Sequence, residues 1–556
     1  MPFYWSKDAR LRVRFVLVIA TATAVISPMF FLGTASGHDF QFHLASWMEV
    51  ALQWHEGVIF PRWAALANYG FGEPRFVFYP PASWLLGAAL GTFLPWGMVP
   101  AAVIWLALVA AGLCMLRLAR EWLPEAQAIA AAVLYVANPY NLLEIYYRSD
   151  FAELIAISVF PLMVLHAVRL KERGWRGVAP LSMALAAIWL ANAPAAVIAT
   201  YFLTLLLVTV SLAANSWPVL LHGTMALAGG FGLAAFYIVP AAVEEKWVDI
   251  GKVLSPNIRP EMNFLFTHSN HPEFLLFNWK VSFIALVVIA ISAVAVLLSR
   301  QWREQQKELW WALALWAAVC VFLMSPPSAF VWKLMPQLRF VQFPWRLLVP
   351  LNLACIYLFM AASIRWRRKY YSLLGIALTF FSLGVFMVRD GFWDSDSEDI
   401  RAIRVDTNSG RGYEGTEEYA PRGCDCSELQ PGSPAVSVIG ESAARDVTRI
   451  QITQWGAERK RFVVDSGRPV EVALRLINYP AWKATINGRP EVFGSVPQTA
   501  QILLEVPAGK NAVEVVFTRT ADRTCGGLLS ITSVLILAGL KLFQTAGSRR
   551  GKHEWS

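Results

Sequence analysis

The residues Ser36-Gly-His-Asp-Phe-Gln-Phe-His43 directly follow the first long apolar segment of the chain. A run rich in apolar residues and tryptophan comes next, and then Gly70-Phe-Gly-Glu-Pro-Arg-Phe-Val-Phe-Tyr-Pro-Pro81. The run predicts a helix over residues 40–55 that lies in the membrane interface, with its tryptophans at headgroup depth. Asp39 stands four residues before His43, so a helix starting here would place both on one face. These features put polar side chains at the surface of a membrane protein.

The composition excludes an ordinary soluble protein. Hydrophobic residues make up 56% of the chain and charged residues 16%. The mean hydropathy is +0.46, which is outside the range of soluble globular domains. Apolar runs near the ~17–25 residues that span a bilayer recur along the sequence. They predict a mainly α-helical polytopic protein with about twelve transmembrane helices, at 13–33, 97–118, 126–139, 153–170, 177–191, 195–213, 218–240, 280–299, 309–324, 347–364, 371–388 and 525–543. The apolar stretch 82–95 is interpreted as re-entrant or interfacial.

The lysines and arginines predict the orientation in the membrane. They cluster before the first predicted span, after the second, fourth, eighth and tenth, and at the end of the chain. The positive-inside rule places these clusters in the cytoplasm, so both termini are predicted to be cytoplasmic, in a bacterial inner membrane. The net charge of +9 then faces anionic lipid and does not indicate nucleic-acid binding. The first span is longer than the usual ~7–15 apolar residues of a signal peptide, which favours a signal anchor.

The distribution of apolar and polar residues predicts two main domains. Residues 1–388 form a polytopic membrane domain with a first external loop at 34–96, and residues 389–524 form an extracytoplasmic domain. Residues 525–543 form the last transmembrane helix, and 544–556 a cytoplasmic tail.

Strand-like alternation within the extracytoplasmic domain predicts a small β-sandwich from about residue 440. The alternating segments are 447–455, 461–465, 470–477, 501–506 and 512–518. We expect a fragment of about 440–520 to fold as a separate unit. Cys424, Cys426 and Cys525 lie in or beside this domain, where oxidation is permitted. Pairing of Cys424 or Cys426 with Cys525 stays open.

Asp39 is the candidate catalytic residue. A carboxylate beside the membrane surface can act as a general base, or hold a divalent cation such as Mg²⁺ or Mn²⁺. The alternative is a structural role, in which Asp39 caps the following helix. His43 is a candidate for contact with a phosphate or a metal, against the alternative of a surface hydrogen bond.

A second group of candidates lies in residues 138–153, predicted on the same outer face. Arg148 is a permanent cation whose planar fork suits a phosphate group. Asp150 and Glu153 have the spacing of an N-cap residue and its N3 partner, so capping of the next span is the alternative to a role for Glu153 in substrate binding.

A third outer loop covers residues 325–346 and contributes Arg339 and Arg346. Positive charge on the outer side runs against the topology rule. A specific anionic partner would explain it, and a lipid-linked phosphate is the obvious choice. The alternative is that both side chains snorkel to outer-leaflet headgroups.

Short motifs across the whole membrane part resemble a bacterial membrane family known as "6-pyruvoyl-tetrahydropterin synthase-related". They are Gly37-His-Asp-Phe-Gln-Phe-His43, Phe60-Pro-Arg-Trp63, Gly70 to Pro81, Tyr147-Arg-Ser-Asp-Phe-Ala-Glu153, Phe236-Tyr-Ile-Val-Pro240 and Gln342-Phe-Pro-Trp-Arg346. Tyr479-Pro-Ala-Trp-Lys483 and Asn487-Gly-Arg489 resemble the external module of YfhO-type proteins. Family members usually carry glycine where Ser149 stands.

The resemblance implies a GT-C-like fold, the architecture of glycosyltransferases that use polyprenyl-phosphate sugars. By that analogy Asp39 is the external-loop carboxylate, and the partners are membrane lipids, a lipid-linked sugar and an extracytoplasmic glycan or protein acceptor. The sequence has no histidine cluster of the kind that would bind zinc in a pterin synthase. Two other readings stay open: a transporter or flippase of lipid-linked glycans, which would require ionisable residues at mid-membrane and internal repeats, and a non-catalytic envelope scaffold.

Overall fold

The computed structural model describes residues 7–255, 257–335, 337–364, 369–394, 398–440 and 448–553. Its α-helices are Lys7–Ile26, Met29–Leu32, Phe40–His55, Ala67–Gly70, Arg75–Phe78, Pro81–Gly91, Val99–Ala119, Glu125–Val136, Pro139–Leu143, Phe151–Val168, Leu170–Arg173, Val178–Ala191, Ala193–Ala214, Trp217–Leu233, Ala235–Glu244, Pro272–Leu298, Lys307–Leu323, Ala329–Leu334, Leu348–Ser363, Lys369–Asp390, Glu398–Asn408 and Ala521–His553. A two-stranded antiparallel sheet, Thr34–Ala35 with Trp393–Asp394, and two larger antiparallel sheets precede the last helix. This confirms the predicted mainly helical fold with a small β-sandwich.

The helices form a multi-pass membrane bundle. In the described part of the chain, nine helical segments are long and apolar enough to cross a membrane, or eleven if two bent pairs each count as one span. The bent pairs are Trp217–Leu233 with Ala235–Trp247, at 72°, and Lys307–Leu323 with Pro326–Leu334, at 93°. The predicted span 177–191 forms the helix Val178–Ala191, whose 14 residues rise only ~21 Å. This short helix packs among the spanning helices of the bundle.

The helix Phe40–His55 forms as predicted, but it lies inside the protein rather than on the membrane surface. Trp47 is fully buried. Its indole packs so closely on Gly87 that an added Cβ would approach it to 2.2 Å. Gly87 belongs to the helix Pro81–Gly91, whose 11 residues are too few to span a bilayer. Small residues on the second helix let the two helices approach closely, so Trp47 contacts protein rather than lipid.

The two larger sheets pack face to face as a sandwich. The four-stranded sheet has the order Val436–Ile439, Val470–Ile477, Gln501–Val506 and Gly494–Ser495. The five-stranded sheet has the order Arg449–Trp455, Arg459–Ser466, Gly509–Phe517, Trp482–Ile486 and Arg489–Glu491. The five strands expected from the alternation are all present, and the short strands around 436, 482, 489 and 494 were not expected. Alternate side chains of both sheets meet in one buried core.

The first outer loop completes the core of the sandwich. Trp63 is fully buried, and its ring centroid lies 5.5 Å from that of Trp482 and 5.7 Å from that of Tyr479. Phe71 and Val77 belong to the same buried cluster. A fragment of residues 440–520 would therefore lack part of its apolar core, which argues against the expected separate folding unit.

A segment after the helix Glu398–Asn408 ties the β-sandwich to the loop at residues 34–96, which the sequence predicts to be external. We call residues Gly412–Arg422 the strap. Thr416 receives a hydrogen bond from Arg75 at 3.2 Å, and its backbone N–H donates to Glu73 at 2.8 Å. The Tyr413 hydroxyl donates to Glu49. Glu49 and Glu73 are fully buried, so the strap supplies further hydrogen bonds to two buried carboxylates.

A second connection lies at the base of the sandwich. Arg523 forms two hydrogen bonds of 2.7 Å with Glu244, and the Tyr479 hydroxyl donates to the same carboxylate at 2.5 Å. All three side chains are buried. This bidentate ion pair fixes the last helix, the sandwich and the helix Ala235–Glu244 to one another.

The sequence left open a disulfide between Cys525 and either Cys424 or Cys426, and the structure does not show one among the residues it describes. The sulfurs of Cys424 and Cys426 lie 3.0 Å apart, while Cys525 is an exposed free cysteine on the last helix. The structure therefore does not pair Cys525 with either of the other two within the described residues.

Candidate active site

The site forms where one helical run ends and the next begins. Residues Glu144–Arg148 make a single turn of π-helix, an irregularity that is frequent at functional sites. Ser149 then adopts a left-handed conformation, with φ of 56°, and the helix Phe151–Val168 follows. Asp150 caps that helix, since its Oδ1 accepts a hydrogen bond from the backbone N–H of Glu153 at 2.9 Å. The capping role expected for Asp150 is confirmed, while the Glu153 carboxylate turns towards two arginines.

Ser149 has a backbone geometry that favours glycine. A left-handed conformation costs a residue with a Cβ roughly 1–2 kcal/mol. The Ser149 hydroxyl offsets this cost, because it accepts from the N–H of Gly37 at 2.9 Å and donates to the carbonyl of Ala35 at 3.0 Å. Its side chain thereby fastens the first outer loop to the π-turn.

The backbone of the first outer loop lies directly against the π-turn. The N–H of Asp39 donates to the carbonyl of Arg148 at 2.8 Å, and the N–H of His38 to the carbonyl of Tyr147 at 3.4 Å. A Cβ placed on Gly37 would lie 2.4 Å from that Tyr147 carbonyl oxygen. Position 37 therefore excludes any side chain.

Gly37→Ala should push the first outer loop away from the π-turn and lower the free energy of unfolding by about 1–3 kcal/mol, as overpacking does. The atom in the way is a backbone oxygen, which cannot rotate aside. Thermal unfolding of the purified protein in detergent measures the change. Gly97→Ala is the matched control, because an added Cβ there meets nothing within 4 Å. Equal melting temperatures for the two variants would contradict the close approach.

Arg148 lies at the centre of four carboxylates. Its Nη2 is 2.8 Å from Asp39 and 3.2 Å from Asp150, and its Nη1 is 3.0 Å from Glu144 and 3.1 Å from Glu153. The guanidinium is 5% exposed. A buried cation with this many partners is strongly held in place.

Arg346 closes the cluster from the other side. Its Nε lies 2.9 Å from Glu153 and its Nη2 lies 3.4 Å from Asp150. The Tyr140 hydroxyl donates to Glu153 at 2.6 Å. Among the described residues, four carboxylates thus face two guanidinium groups, so full ionisation would leave the cluster with a formal charge of −2.

Asp39 differs from the other carboxylates of the cluster. Its side chain is 37% exposed, whereas those of Glu144, Asp150 and Glu153 are at most 4% exposed. It occupies the N-cap position of the helix Phe40–His55, but its carboxylate makes no capping hydrogen bond among the described residues. The side chain faces Arg148 instead, which argues against the capping role and leaves one oxygen-bearing edge open to solvent.

His43 and Tyr79 extend the cluster beneath Asp39. His43 is buried, and its ring nitrogens lie 3.4 Å from the Tyr79 hydroxyl, 3.2 Å from the Ser83 hydroxyl and 3.7 Å from Asp150. This geometry gives His43 a hydrogen-bonding role inside the protein. Burial, together with the negative charges of Asp150 and Asp39, raises the pKa of Tyr79 well above its ordinary value, so its hydroxyl keeps its proton.

The Asp150 carboxyl is held in its ionised form. Burial alone would raise its pKa, but Arg148, His43 and Arg346 together hold the pKa of Asp150 well below its usual range. Its stabilising contribution is therefore fully present above the ordinary Asp pKa of ~3.9 and is lost as the pH falls below it towards the depressed native value.

The buried carboxylates lie close enough together to hold a metal ion, but the positive charge of the neighbouring Arg148 opposes a cation there. Glu144, Asp150 and Glu153 place one oxygen each within 4.8 Å of one another, and oxygen ligands suit Mg²⁺. Arg148, however, lies 3.0–3.2 Å from all three carboxylates. A cation between them would meet this guanidinium at short range, so these residues do not fit a metal ion while Arg148 keeps its position.

The structure brings together most of the residues expected from the sequence. Asp39, His43, Arg148, Glu153 and Arg346 all belong to the cluster. Arg339 lies apart, since it is exposed and its guanidinium stacks 4.9 Å from the Phe340 ring centroid.

Sequence reasoning missed Glu144, Tyr140 and Tyr79. Glu144 had a usable signal, because it stands four residues before Arg148, the spacing of an ion pair on a helix. Tyr79 had none, since its contact with His43 spans 36 positions.

The strap forms one wall beside the cluster. The Tyr419 ring stacks on Phe78 at 5.9 Å and 9°, and Arg75 lies 4.5 Å from the ring centroid of Phe42. Burial, with a smaller contribution from the charges of Glu73 and Asp39, raises the pKa of Glu418 to about 7. Near neutral pH this strap carboxyl therefore changes its charge.

Glu418→Gln should raise the melting temperature at pH 8 and change it little at pH 5. The folded protein binds the Glu418 proton more tightly than the unfolded chain, whose Glu pKa is ~4.3, so the native state loses stability as the pH rises from about 4.5 to 7. Glutamine does not ionise and avoids this loss. The exposed neighbour Glu417→Gln is the control. An equal shift at both pH values would show that Glu418 is not held in its protonated form.

Comparisons with known proteins give similarity to solved structures alone. No protein-family model matches the chain, and no curated protein matches it. It is similar to solved structures of an oligosaccharyltransferase from Archaeoglobus fulgidus. One is AglB in complex with an inhibitory peptide and a dolichol-phosphate, with 14% identity and a TM-score of 0.44 over 74% of this chain and 57% of that one. Another, tethered with an acceptor peptide, has 14% identity and a TM-score of 0.45 over 74% and 60%.

The similarity has clear bounds. The chain spans less than two thirds of the length of these oligosaccharyltransferases, at 57% and 60%. A third structure of the same enzyme, in complex with Zn and sulfate, has a TM-score of 0.41. TM-scores of this size do not indicate activity. The proposed function therefore rests on the geometry of the site.

Proposed function

We propose that this multi-pass membrane protein is a glycosyltransferase of the GT-C type. It transfers a sugar from a polyprenyl-phosphate-linked donor to a glycan or protein acceptor outside the cytoplasm. The proposal rests mainly on the environment of Asp39. Its carboxylate is paired with a buried arginine, is partly exposed, and makes no capping hydrogen bond among the described residues. An exposed edge with fixed orientation is what a general base requires.

In this mechanism Asp39 takes the proton from the acceptor hydroxyl. The acceptor oxygen forms a bond to the anomeric carbon of the sugar, and the bond from that carbon to the phosphate oxygen breaks. The electron pair of the broken bond leaves with the lipid phosphate. No step passes through a metal ion.

Arg148 is assigned to positioning rather than to phosphate binding. All of its short contacts in the structure are to carboxylates, and Arg346 is engaged by two of the same groups. A phosphate would have to compete with these carboxylates inside a buried site. Arg148 therefore orients Asp39 and balances the charge around it.

The extracytoplasmic part contributes the outer wall of the site. The strap lies against Phe42 and Phe78, beside the helix that begins at Asp39. An acceptor approaching Asp39 from outside the membrane meets the strap first. We assign the strap to acceptor contact.

The test is sugar transfer by the purified protein in lipid nanodiscs. The substrates are polyprenyl-phosphate sugars extracted from bacterial membranes, and the readout is mass spectrometry of released polyprenyl phosphate and of glycosylated product. We expect release with the wild-type protein and background levels with Asp39→Asn. Sugar transfer that persists in Asp39→Asn would contradict the role of Asp39. Lack of transfer with every donor would favour the hypothesis of a non-catalytic envelope scaffold.

A further inference from the structure

Lys280 is a charged residue on an apolar membrane-spanning helix. It lies on the helix Pro272–Leu298, eight residues from its start, which is ~12 Å along the axis. The apolar stretch that begins directly after Lys280, residues 281–298, has a mean hydropathy of 3.0. Lys280 therefore stands at the boundary of this stretch, where a lysine can meet a lipid headgroup.

Lys280 lies next to the candidate active site. Its Nζ is 2.5 Å from the carboxylate of Asp390, which also accepts a hydrogen bond of 2.8 Å from the Tyr147 hydroxyl, and 5.6 Å from the Tyr147 ring centroid. Tyr147 precedes Arg148, the residue that holds Asp39. One turn before Lys280, Phe277 contacts the ring of His38 at 4.9 Å. The same helix face therefore borders both Lys280 and the loop that carries Asp39.

Among the described cations around Asp39, Lys280 is the one suited to an incoming anion. Arg148 and Arg346 are each about 5% exposed and face several carboxylates. Lys280 has a side chain 24% exposed and a single carboxylate partner, Asp390, which is 30% exposed. An ammonium group has three donors, so Asp390 leaves donors for a ligand.

The helix faces beside Lys280 suit a lipid tail. Phe283 lies three residues after Lys280, on the same face, and is 53% exposed. Phe386, one turn before Asp390, is 49% exposed. Asp390 ends its helix, which places the ion pair near one edge of the apolar layer. A polar headgroup meets this edge while its chain runs along these side chains.

We propose that Lys280 binds the phosphate group of a single-chain isoprenoid lipid, with the chain lying along Phe283 and Phe386. The assignment deepens the proposed function and rests on it, because this lipid phosphate is the leaving part of the sugar donor. Asp390 holds the lysine until the phosphate arrives. The alternative is a purely structural ion pair between two helices.

The two explanations predict opposite effects at Asp390. If Lys280 binds phosphate, Asp390→Asn removes a competing negative charge and should raise affinity several-fold, whereas Lys280→Gln should lower it about tenfold or more, the effect of losing a hydrogen bond to a charged group. If the pair is only structural, both variants should melt earlier and neither should change affinity.

The experiment is native mass spectrometry of the full chain in nanodiscs with a C20 isoprenyl monophosphate, which carries no sugar. Lys510→Gln, an exposed lysine on the strand Gly509–Phe517 of the sandwich, is the control, and Lys280→Arg retains the charge should Lys280→Gln fail to fold. Competitors are inorganic phosphate, the C20 alcohol and phosphatidylglycerol.

We expect competition by none of the three at equal concentration. Equal affinity of wild type and Lys280→Gln, loss of binding in Asp390→Asn, or full competition by phosphatidylglycerol would each overturn the assignment. Binding without turnover would instead refute the proposed function alone.

Discussion

Asp39→Asn should lower the rate of sugar transfer by about 10²–10⁴, the usual contribution of general-base assistance. The substitution keeps the shape of the side chain and removes its charge. Stability should change by less than about 1 kcal/mol, because Arg148 keeps three buried carboxylate partners and the lost contact is partly exposed. Initial rates with a lipid-linked donor, together with melting temperatures of both proteins, measure the two effects.

Asp465→Asn is the control for this experiment. Asp465 is exposed on the strand Arg459–Ser466 of the sandwich, which belongs to neither the cluster nor the strap. It should transfer sugar at the wild-type rate. A wild-type rate in Asp39→Asn would refute the proposed mechanism and make a non-catalytic scaffold the better explanation.

Arg148→Met should destabilise the protein by about 3–5 kcal/mol, the largest effect on folding that we expect. The variant leaves Glu144, Asp150 and Glu153 buried within 4.8 Å of one another with Arg346 as their remaining arginine partner. Removing one partner of a buried ion pair leaves an uncompensated charge, which costs about this amount. Thermal or denaturant unfolding in detergent measures the loss.

Two further variants identify the cause of that loss. Adding Glu144→Gln to Arg148→Met should restore part of the stability, because it removes one of the unpaired charges. Arg339→Met is the control, since this arginine is exposed and lies outside the cluster, and it should change stability by less than about 0.5 kcal/mol. If Arg148→Met melts like Arg339→Met, the carboxylates do not depend on Arg148 for their charge balance.

Hydropathy and alternation were sufficient to predict most of the architecture. Spanning helices need long apolar runs and strands of a sandwich need alternation, and both properties are local in sequence. The helix Phe40–His55 and the strands Val470–Ile477 and Gln501–Val506 match the expected ranges. The strand Trp482–Ile486 was not predicted, because Pro480 precedes it and the strand is too short for a sustained alternating pattern.

The membership of the active site was only partly predictable. Asp39, Arg148 and Glu153 were recognisable because charged residues beside an apolar segment are rare and costly. The roles of these three residues could not be recognised from the sequence. The sequence favoured Arg148 as a phosphate ligand, whereas the tertiary structure surrounds it with carboxylates.

By itself, the sequence determined the class of the molecule, the positions of its apolar helices and strands, and the segments that carry charge at the membrane edge. These follow from the burial preferences of neighbouring residues. Only the tertiary structure decided that Trp63 completes the core of the sandwich, that the strap closes over Glu73, and that Lys280 lies beside Tyr147. Such contacts join residues more than a hundred positions apart. They depend on how whole helices pack, and no local pattern records that packing.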